Sequence, residues 1–131
     1  MARPFKPLVC LLAALLLWQG TAYAQQDILD RIDAVYSLSE RNNAAALVQI
    51  RALGDELPAT APYAVQREYL STRIDLELDS GHTDAAKASI AKLMDLAKAQ
   101  AKPDDTGLAM AMGFEASIMV SAAQHARAII Q

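Results

Sequence analysis

The stretch GHTDAAKASIAKLMDLAKAQA, residues 81–101, decides how the rest of the chain is interpreted. Its larger apolar residues recur at intervals of three and four, with lysines and an aspartate between them. This spacing places the apolar side chains on one face of an α-helix. The stretch therefore predicts an amphipathic helix that starts near Thr83, ends before Pro103 and packs one face against the rest of the protein. The residues of that face are Ala86, Ile90, Leu93, Met94, Ala97 and Ala101.

No segment alternates apolar and polar residues over the length of a strand, so we expect helices only. Glycine, proline and asparagine residues divide the chain into further helical segments. Gly81 is expected to end the segment before it in a left-handed conformation. The predicted segments are Asp27 to Glu40, Asn42 or Asn43 to Pro58, Pro62 to Ser80, and Gly107 to Val120, then a weak break at Ser121 to Gln124 and a last piece from Ala126 to Gln131.

The first 24 residues have the composition of a secretory signal peptide. Arg3 and Lys6 precede an apolar run from Leu8 to Trp18, and Ala22 and Ala24 provide the small residues that signal peptidase recognises. We expect cleavage after Ala24 and export to the periplasm or to the outside of a bacterial cell. The apolar run is shorter than the roughly 20 residues of a membrane span, so no stable membrane insertion is expected after cleavage.

Residues 25–131 are expected to form a single all-helical domain. Removal of residues 1–24 takes away the one cysteine, the one tryptophan and two cations, which makes the net charge of −3 more negative by two. Disulfides, thiolate-bound metals and cysteine-based hydrolysis are then excluded. Because the chain is acidic and its cations are scattered, it is not expected to bind nucleic acid.

No pattern of residues predicts catalysis, a cofactor or a metal site. The two histidines, His82 and His125, have no evident partner and are expected at the surface. Met110 and Met112 would suit Cu(I), but residues two apart on a helix point to nearly opposite sides. We therefore expect these methionines to pack in the core, and we expect the protein not to be an enzyme.

The helical hairpins repeat along the chain at a period of about 40 residues. A repeat of this kind is typical of solenoids, in which successive hairpins stack side by side. The superimposed pairs are Tyr36 and Leu76, Leu38 and Leu78, Asn43 and Thr83, Ala46 and Ala86, Ile50 and Ile90, and Leu53 and Leu93.

Residues 81–93 resemble the second half of a tetratricopeptide repeat. In that family a glycine at the hairpin turn is followed by a small residue, then by larger apolar residues one turn apart, as at Gly81, Ala86 and Ile90. The chain departs from the family at Ile74 and Glu77, where the family has a glycine and an aromatic residue, and its period is longer than the family's, which is about 34.

The resemblance implies antiparallel hairpins stacked as a short solenoid, with a five- or six-helix bundle as the alternative. It also implies a groove, lined by the first helix of each hairpin, that holds a peptide or a partner helix. In the third helix this groove would present Gln66, Tyr69 and Arg73. The alternative is that Tyr69 belongs to the core and the other two lie at its rim.

The fifth helix carries apolar residues on all sides, with Glu115 as its charge. Such a helix needs cover on more than one face. We expect either that the last segment folds back on it, or that residues 108–130 pack against a second chain or against further sequence beyond a truncated end. The leading hypothesis for the function is a non-enzymatic exported module that binds a protein or peptide. The alternative is the N-terminal periplasmic sensory region of a bacterial membrane signalling protein, of the diguanylate cyclase or kinase type.

Overall fold

The computed structural model of the protein describes residues 6–131, with side chains described from residue 22 onward. The start of the predicted signal peptide, including Arg3, and the side chains of its apolar run lie outside this description. Within residues 6–131 the chain forms helices joined by short turns and has no strand, which confirms the all-α prediction. The helices are α1 (Lys6–Ser39), α2 (Asn43–Glu56), α3 (Tyr63–Asp79), α4 (Thr83–Lys98) and α5 (Asp105–Ile130).

The ends of α2 and the start of α3 follow from local side-chain chemistry. Asn42 caps α2, since its side-chain oxygen accepts a hydrogen bond of 3.0 Å from the backbone N–H of Ala45. The helix stops before Pro58 because Leu57, the residue preceding the proline, is extended. Pro62 then stands as the N-cap of α3. These boundaries agree with the sequence prediction.

The turn between α3 and α4 depends on Gly81. Among the described residues Gly81 is the one with a positive φ, at 75°. The backbone N–H of His82 donates to Glu77 O at 2.8 Å, and that of Gly81 donates to Leu78 O at 3.1 Å. This pair of bonds is the Schellman ending of a helix, and the left-handed conformation predicted for Gly81 is confirmed. His82, rather than Thr83, is the N-cap of α4, and no side chain caps this helix.

Two helices are longer than their sequence patterns predict. The first begins at Lys6, well before Asp27, so it joins the predicted signal segment to the domain without a break. The fifth runs unbroken to Ile130, and the predicted break at Ser121 to Gln124 is wrong. That segment contains no glycine or proline, and its alanines favour the helix strongly enough to carry it through.

Successive helices pack as hairpins, and the odd-numbered helices also lie side by side. Each helix contacts the next one in the chain, and α3 contacts α1 on one side and α5 on the other. The two even-numbered helices do not contact each other anywhere in the described chain. The antiparallel hairpins therefore stack around α3, as the fold prediction states.

The core confirms the internal repeat in the even-numbered helices. Ala46, Ile50 and Leu53 of α2 are buried, and so are their counterparts in α4, 40 residues later. In the odd-numbered helices Leu38 and Leu78 are both partly buried, but the other pair fails, since Tyr36 is 56% exposed and its counterpart Leu76 is 2% exposed. The difference arises because α1 is the end of the stack, whereas α3 has neighbours on both sides.

Candidate binding sites on the two sides of α3

The three residues predicted to bind a partner share one face of α3 and line one cleft of about 340 Å³. We call it the α2–α4 cleft, because α3 forms its floor and its walls are the end of α2 and the first turns of α4. Gln66, Tyr69 and Arg73 therefore come together as the spacing suggests. They face the even-numbered helices, however, and not the groove between odd-numbered helices in which the resemblance places them.

A hydrogen-bonded chain of polar side chains lies in the floor of this cleft. Arg73 donates from Nε to Glu77 Oε1 at 2.6 Å and from Nη1 to the Tyr69 hydroxyl at 2.7 Å. Ser89 of α4 donates its hydroxyl to the other oxygen of Glu77 at 3.1 Å. The Glu77 side chain is fully buried, so Arg73 and Ser89 satisfy a carboxylate that has no access to water.

Burial by itself lowers the pKa of Arg73, but its hydrogen bonds to Glu77 and Tyr69 outweigh burial and raise that pKa above its ordinary value. The guanidinium is therefore a fixed cation at every accessible pH. Sequence reasoning used Tyr69 and Arg73 but missed Glu77, which it noted as a departure from the repeat family. The spacing of four residues from Tyr69 to Arg73 and from Arg73 to Glu77 could have identified it, because this spacing aligns the three side chains on one helical face.

Tyr69 and Gln66 are positioned by close contacts with α2 and with the loop after it. A Cβ at Gly54 would lie 2.0 Å from the Tyr69 hydroxyl, so the ring packs directly on the α2 backbone. Tyr69 is 5% exposed and belongs to the core, as the alternative interpretation states. Gln66 donates to Ala61 O at 2.6 Å and ties α3 to the preceding loop.

The opposite side of α3 forms a second depression, of about 360 Å³, between α1 and α5. We call it the α1–α5 groove. This is the surface to which the resemblance assigns partner binding, and the sequence analysis did not identify the residues that line it. They include Asp33, Tyr36, Glu68, Asp75, Met110 and Phe114.

Carboxylates and apolar side chains share the lining of the α1–α5 groove. No lysine or arginine is among its described lining residues. Glu68 lies 3.8 Å from Arg67 on the same helix, while Asp33 and Asp75 form no ion pair with any described residue. Partial burial and the nearby charge of Asp79 raise the pKa of Asp75.

A third polar cluster, at the start of α3, has a structural role. The Tyr63 hydroxyl donates to Asp104 Oδ2 at 2.6 Å, and Arg67 Nη1 donates to the same oxygen at 3.1 Å. The Tyr63 hydrogen bond, the nearby backbone N–H of Gly107 and Arg67 lower the pKa of Asp104 to about 2. Burial and the bond to Asp104 raise the pKa of Tyr63 to about 12. This cluster fastens the loop before α5 to α3.

The remaining residues considered from sequence are dispersed over the surface. His82 and His125 are exposed, as expected, and His82 Nδ1 lies 3.3 Å from Arg51 Nη2. The expectation that Met110 and Met112 pack in the core is wrong, since they are 36% and 60% exposed. In the described residues no group of three or more histidine, cysteine or acidic side chains is arranged to hold a metal ion.

Comparisons of the chain with models of protein families, with curated proteins and with solved structures found no match.

Proposed function

We propose that this protein is an exported, non-enzymatic module that binds a polypeptide segment in the α1–α5 groove. The observation that carries the proposal is the combination of unpaired carboxylates with exposed apolar side chains on one surface. Asp33 and Asp75 have no cationic partner among the described residues, and Tyr36 and Met110 beside them are 56% and 36% exposed. A segment with lysine or arginine next to large apolar side chains would complement both features.

The other side of α3 is less suited to such a partner because the residues predicted to bind there form hydrogen bonds within the protein. Arg73 is held by Glu77 and Tyr69, and Gln66 is bonded to the loop before α3. The α1–α5 groove also lies along the odd-numbered helices, where proteins with similar hairpin repeats hold their peptides. We therefore assign the partner surface to this groove and not to Gln66, Tyr69 and Arg73.

The proposal is tested with a short peptide that alternates lysine and leucine and with its counterpart carrying glutamate for lysine. Isothermal titration calorimetry should show binding of the first peptide only. Neutralising the groove with Asp33→Asn, Glu68→Gln and Asp75→Asn together should weaken this binding about tenfold, because each exposed charge pair contributes a few tenths to about 1 kcal/mol.

A matched control removes the same number of charges elsewhere. Asp27→Asn, Glu40→Gln and Asp95→Asn change three exposed acids that do not line the groove. This variant should bind the cationic peptide within about twofold of the unchanged protein, since the net charge alone acts weakly at physiological salt. Equal losses in both triple variants would mean that the overall charge, and not the groove, attracts the peptide.

A second candidate function is the periplasmic sensory region of a membrane signalling protein, and one observation favours it. By length and composition α5, with 26 residues, could cross a membrane, and few of its residues are buried against the other helices. Osmotic shock of expressing cells separates the two candidates. Release of the chain with the periplasmic fraction supports the binding module, and retention in the membrane after alkaline extraction supports the sensor.

A further inference from the structure

The α2–α4 cleft contains a cation held in a fixed orientation with part of its hydrogen-bonding capacity unused. A guanidinium has five N–H groups in one plane. Arg73 uses Nε for Glu77 and one N–H of Nη1 for Tyr69, and its side chain remains 30% exposed where it lines the cleft. Three N–H groups are therefore left without a protein partner in the described structure.

The orientation of this guanidinium is set by groups that cannot move easily. Glu77 behind it is fully buried, and Tyr69 beside it is 5% exposed and pressed against α2 at Gly54. A cation immobilised in this way loses little conformational entropy when a ligand binds. Its planar fork matches the geometry of a carboxylate, which accepts two parallel N–H bonds.

A second cation lies on the α4 wall of the same cleft. Lys92 is exposed and forms no ion pair with any described residue. One acid, Asp55, lines the cleft from α2, and α2 forms the opposite wall from α4. Arg73 has its counter-ion in Glu77, and Lys92 forms no ion pair with Asp55 across the cleft, so the Lys92 ammonium is free to meet a bound monoanion.

The rest of the cleft is small, and apolar side chains lie beside its polar groups. Its volume of about 340 Å³ is near the lower end of the range for small-molecule pockets, and its walls include Leu57, Pro58, Leu70 and Ala88. A ligand that combines one anionic group with a short aliphatic chain would complement both the cations and these apolar side chains.

We propose that the α2–α4 cleft binds a small free aliphatic monocarboxylate, whose oxygens accept hydrogen bonds from Arg73 and Lys92 and whose chain lies against the apolar walls. This site is separate from the α1–α5 groove, and its ligand differs from the polypeptide proposed there.

The test is a nuclear magnetic resonance titration of the protein, in the form in which cells accumulate it, with sodium 4-methylpentanoate at constant ionic strength. We expect saturable shifts of the backbone amides of Ser89 and Arg73. The neutral isostere 4-methylpentanamide should bind at least about tenfold more weakly, since it loses the charge-assisted hydrogen bonds. Sodium chloride at the same ionic strength should cause no saturable shift.

Two substitutions and one control complete the test. Lys92→Gln should weaken binding of the carboxylate about fivefold or more, and Arg73→Lys, which keeps a cation beside Glu77 but loses the planar fork, should weaken it at least about tenfold. Lys98→Gln, an exposed lysine of α4 outside the cleft, should leave the affinity unchanged. Thermal melts establish that each variant is folded. If Arg73→Lys does not fold, the effect of Lys92→Gln and the comparison of the acid with the amide still test the proposal.

Three results would overturn the proposal. The first is equal affinity for the acid and the amide, and the second is an equal effect of Lys92→Gln and Lys98→Gln. The third is that a peptide binds the cleft through its terminal carboxylate while 4-methylpentanoate causes no saturable shift.

Discussion

At the scale of single residues, the polar groups of this protein are divided between two tasks. On the α2–α4 side of α3 they bond to one another, as Arg73 does to Glu77 and Tyr69. On the α1–α5 side, Asp33 and Asp75 have no such partners among the described residues. Bonds between side chains hold the fold together, whereas the unpaired carboxylates and the remaining N–H groups of Arg73 are free to meet a ligand.

The Arg73 to Glu77 pair makes a prediction about stability. Arg73→Met should lower the free energy of unfolding by about 3 kcal/mol, because it leaves a buried carboxylate with Ser89 as its remaining partner. Replacing both residues, with Arg73→Met and Glu77→Leu together, should restore most of that loss, since no charge is left in the core. Urea denaturation at neutral pH measures all three proteins. A loss below about 1 kcal/mol for Arg73→Met would show that water reaches Glu77.

Two glycines in helices should respond in opposite ways to the same substitution. A Cβ at Gly54 would meet the Tyr69 hydroxyl at 2.0 Å, whereas a Cβ at Gly113 would meet nothing within 4 Å. Gly54→Ala should therefore destabilise the protein by about 1–3 kcal/mol through overpacking, despite the better helix propensity of alanine. Gly113→Ala should stabilise it by about 0.5–1 kcal/mol. Thermal melts of the two variants test this, and stabilisation by both would mean that Tyr69 does not rest on α2.

At the scale of elements, α3 organises the molecule because it alone touches every other helix. One face of α3 receives α2 and α4, and the other receives α1 and α5. Its start is fastened to the loop before α5 through Tyr63, Arg67 and Asp104. The position of α5, and with it one wall of the α1–α5 groove, therefore depends on a polar cluster at the opposite end of α3 from Gly81.

This anchor makes the stability of the protein depend on pH at both extremes. The pKa of Asp104 falls from 3.8 to about 2 on folding, so its contribution is present above pH 3.8 and is lost as the pH falls toward 2. The pKa of Tyr63 rises from 10.0 to about 12, so its contribution is present below pH 10 and is lost as the pH rises toward 12.

Substitution of Asp104 isolates the acid limb of this dependence. Asp104→Asn should lower the Tm by a few degrees at neutral pH, and the difference from the unchanged protein should shrink between pH 3.8 and 2. Asp95→Asn, at an exposed position of α4, should have little effect at any pH. A difference that stayed constant down to pH 2 would mean that Asp104 acts through its shape and not through its charge.

At the scale of the whole molecule, the stack of hairpins leaves one end of α5 without cover. Gly107 and Ala111 are buried against the other helices, while every residue from Ser121 onward is exposed. The exposed side of α5 includes Met119 and Val120, at 72% and 56%, and Ile129 and Ile130, at 73% and 85%. The prediction that residues 108–130 associate with a second chain therefore rests on these exposed apolar side chains.

Light scattering over a range of concentrations checks this prediction. Met119→Gln and Ile129→Gln together should lower the average mass of the protein at high concentration, because they interrupt the apolar surface of α5. Val48→Gln, which changes a 68% exposed residue on α2, serves as the control and should have no effect. Identical masses for all three proteins would exclude association through α5.

Local sequence determined much of this fold. The ends of helices follow from side chains and backbone preferences that act within a few residues. Asn42 caps a helix, prolines lack a backbone donor, and Gly81 adopts a left-handed turn; the prolines are Pro58 and Pro62. The spacing of Ala46, Ile50 and Leu53, repeated in α4, predicted which faces are buried because a helix converts spacing into direction.

Tertiary structure alone decided which helices the two candidate binding faces of α3 meet. Gln66, Tyr69 and Arg73 could be assigned to one face from their spacing, but whether that face meets α1 and α5 or α2 and α4 depends on how the hairpins stack. The α1–α5 groove draws Asp33, Asp75 and Met110 from three helices distant in sequence. Their proximity follows from long-range apolar packing, which no local pattern of residues encodes.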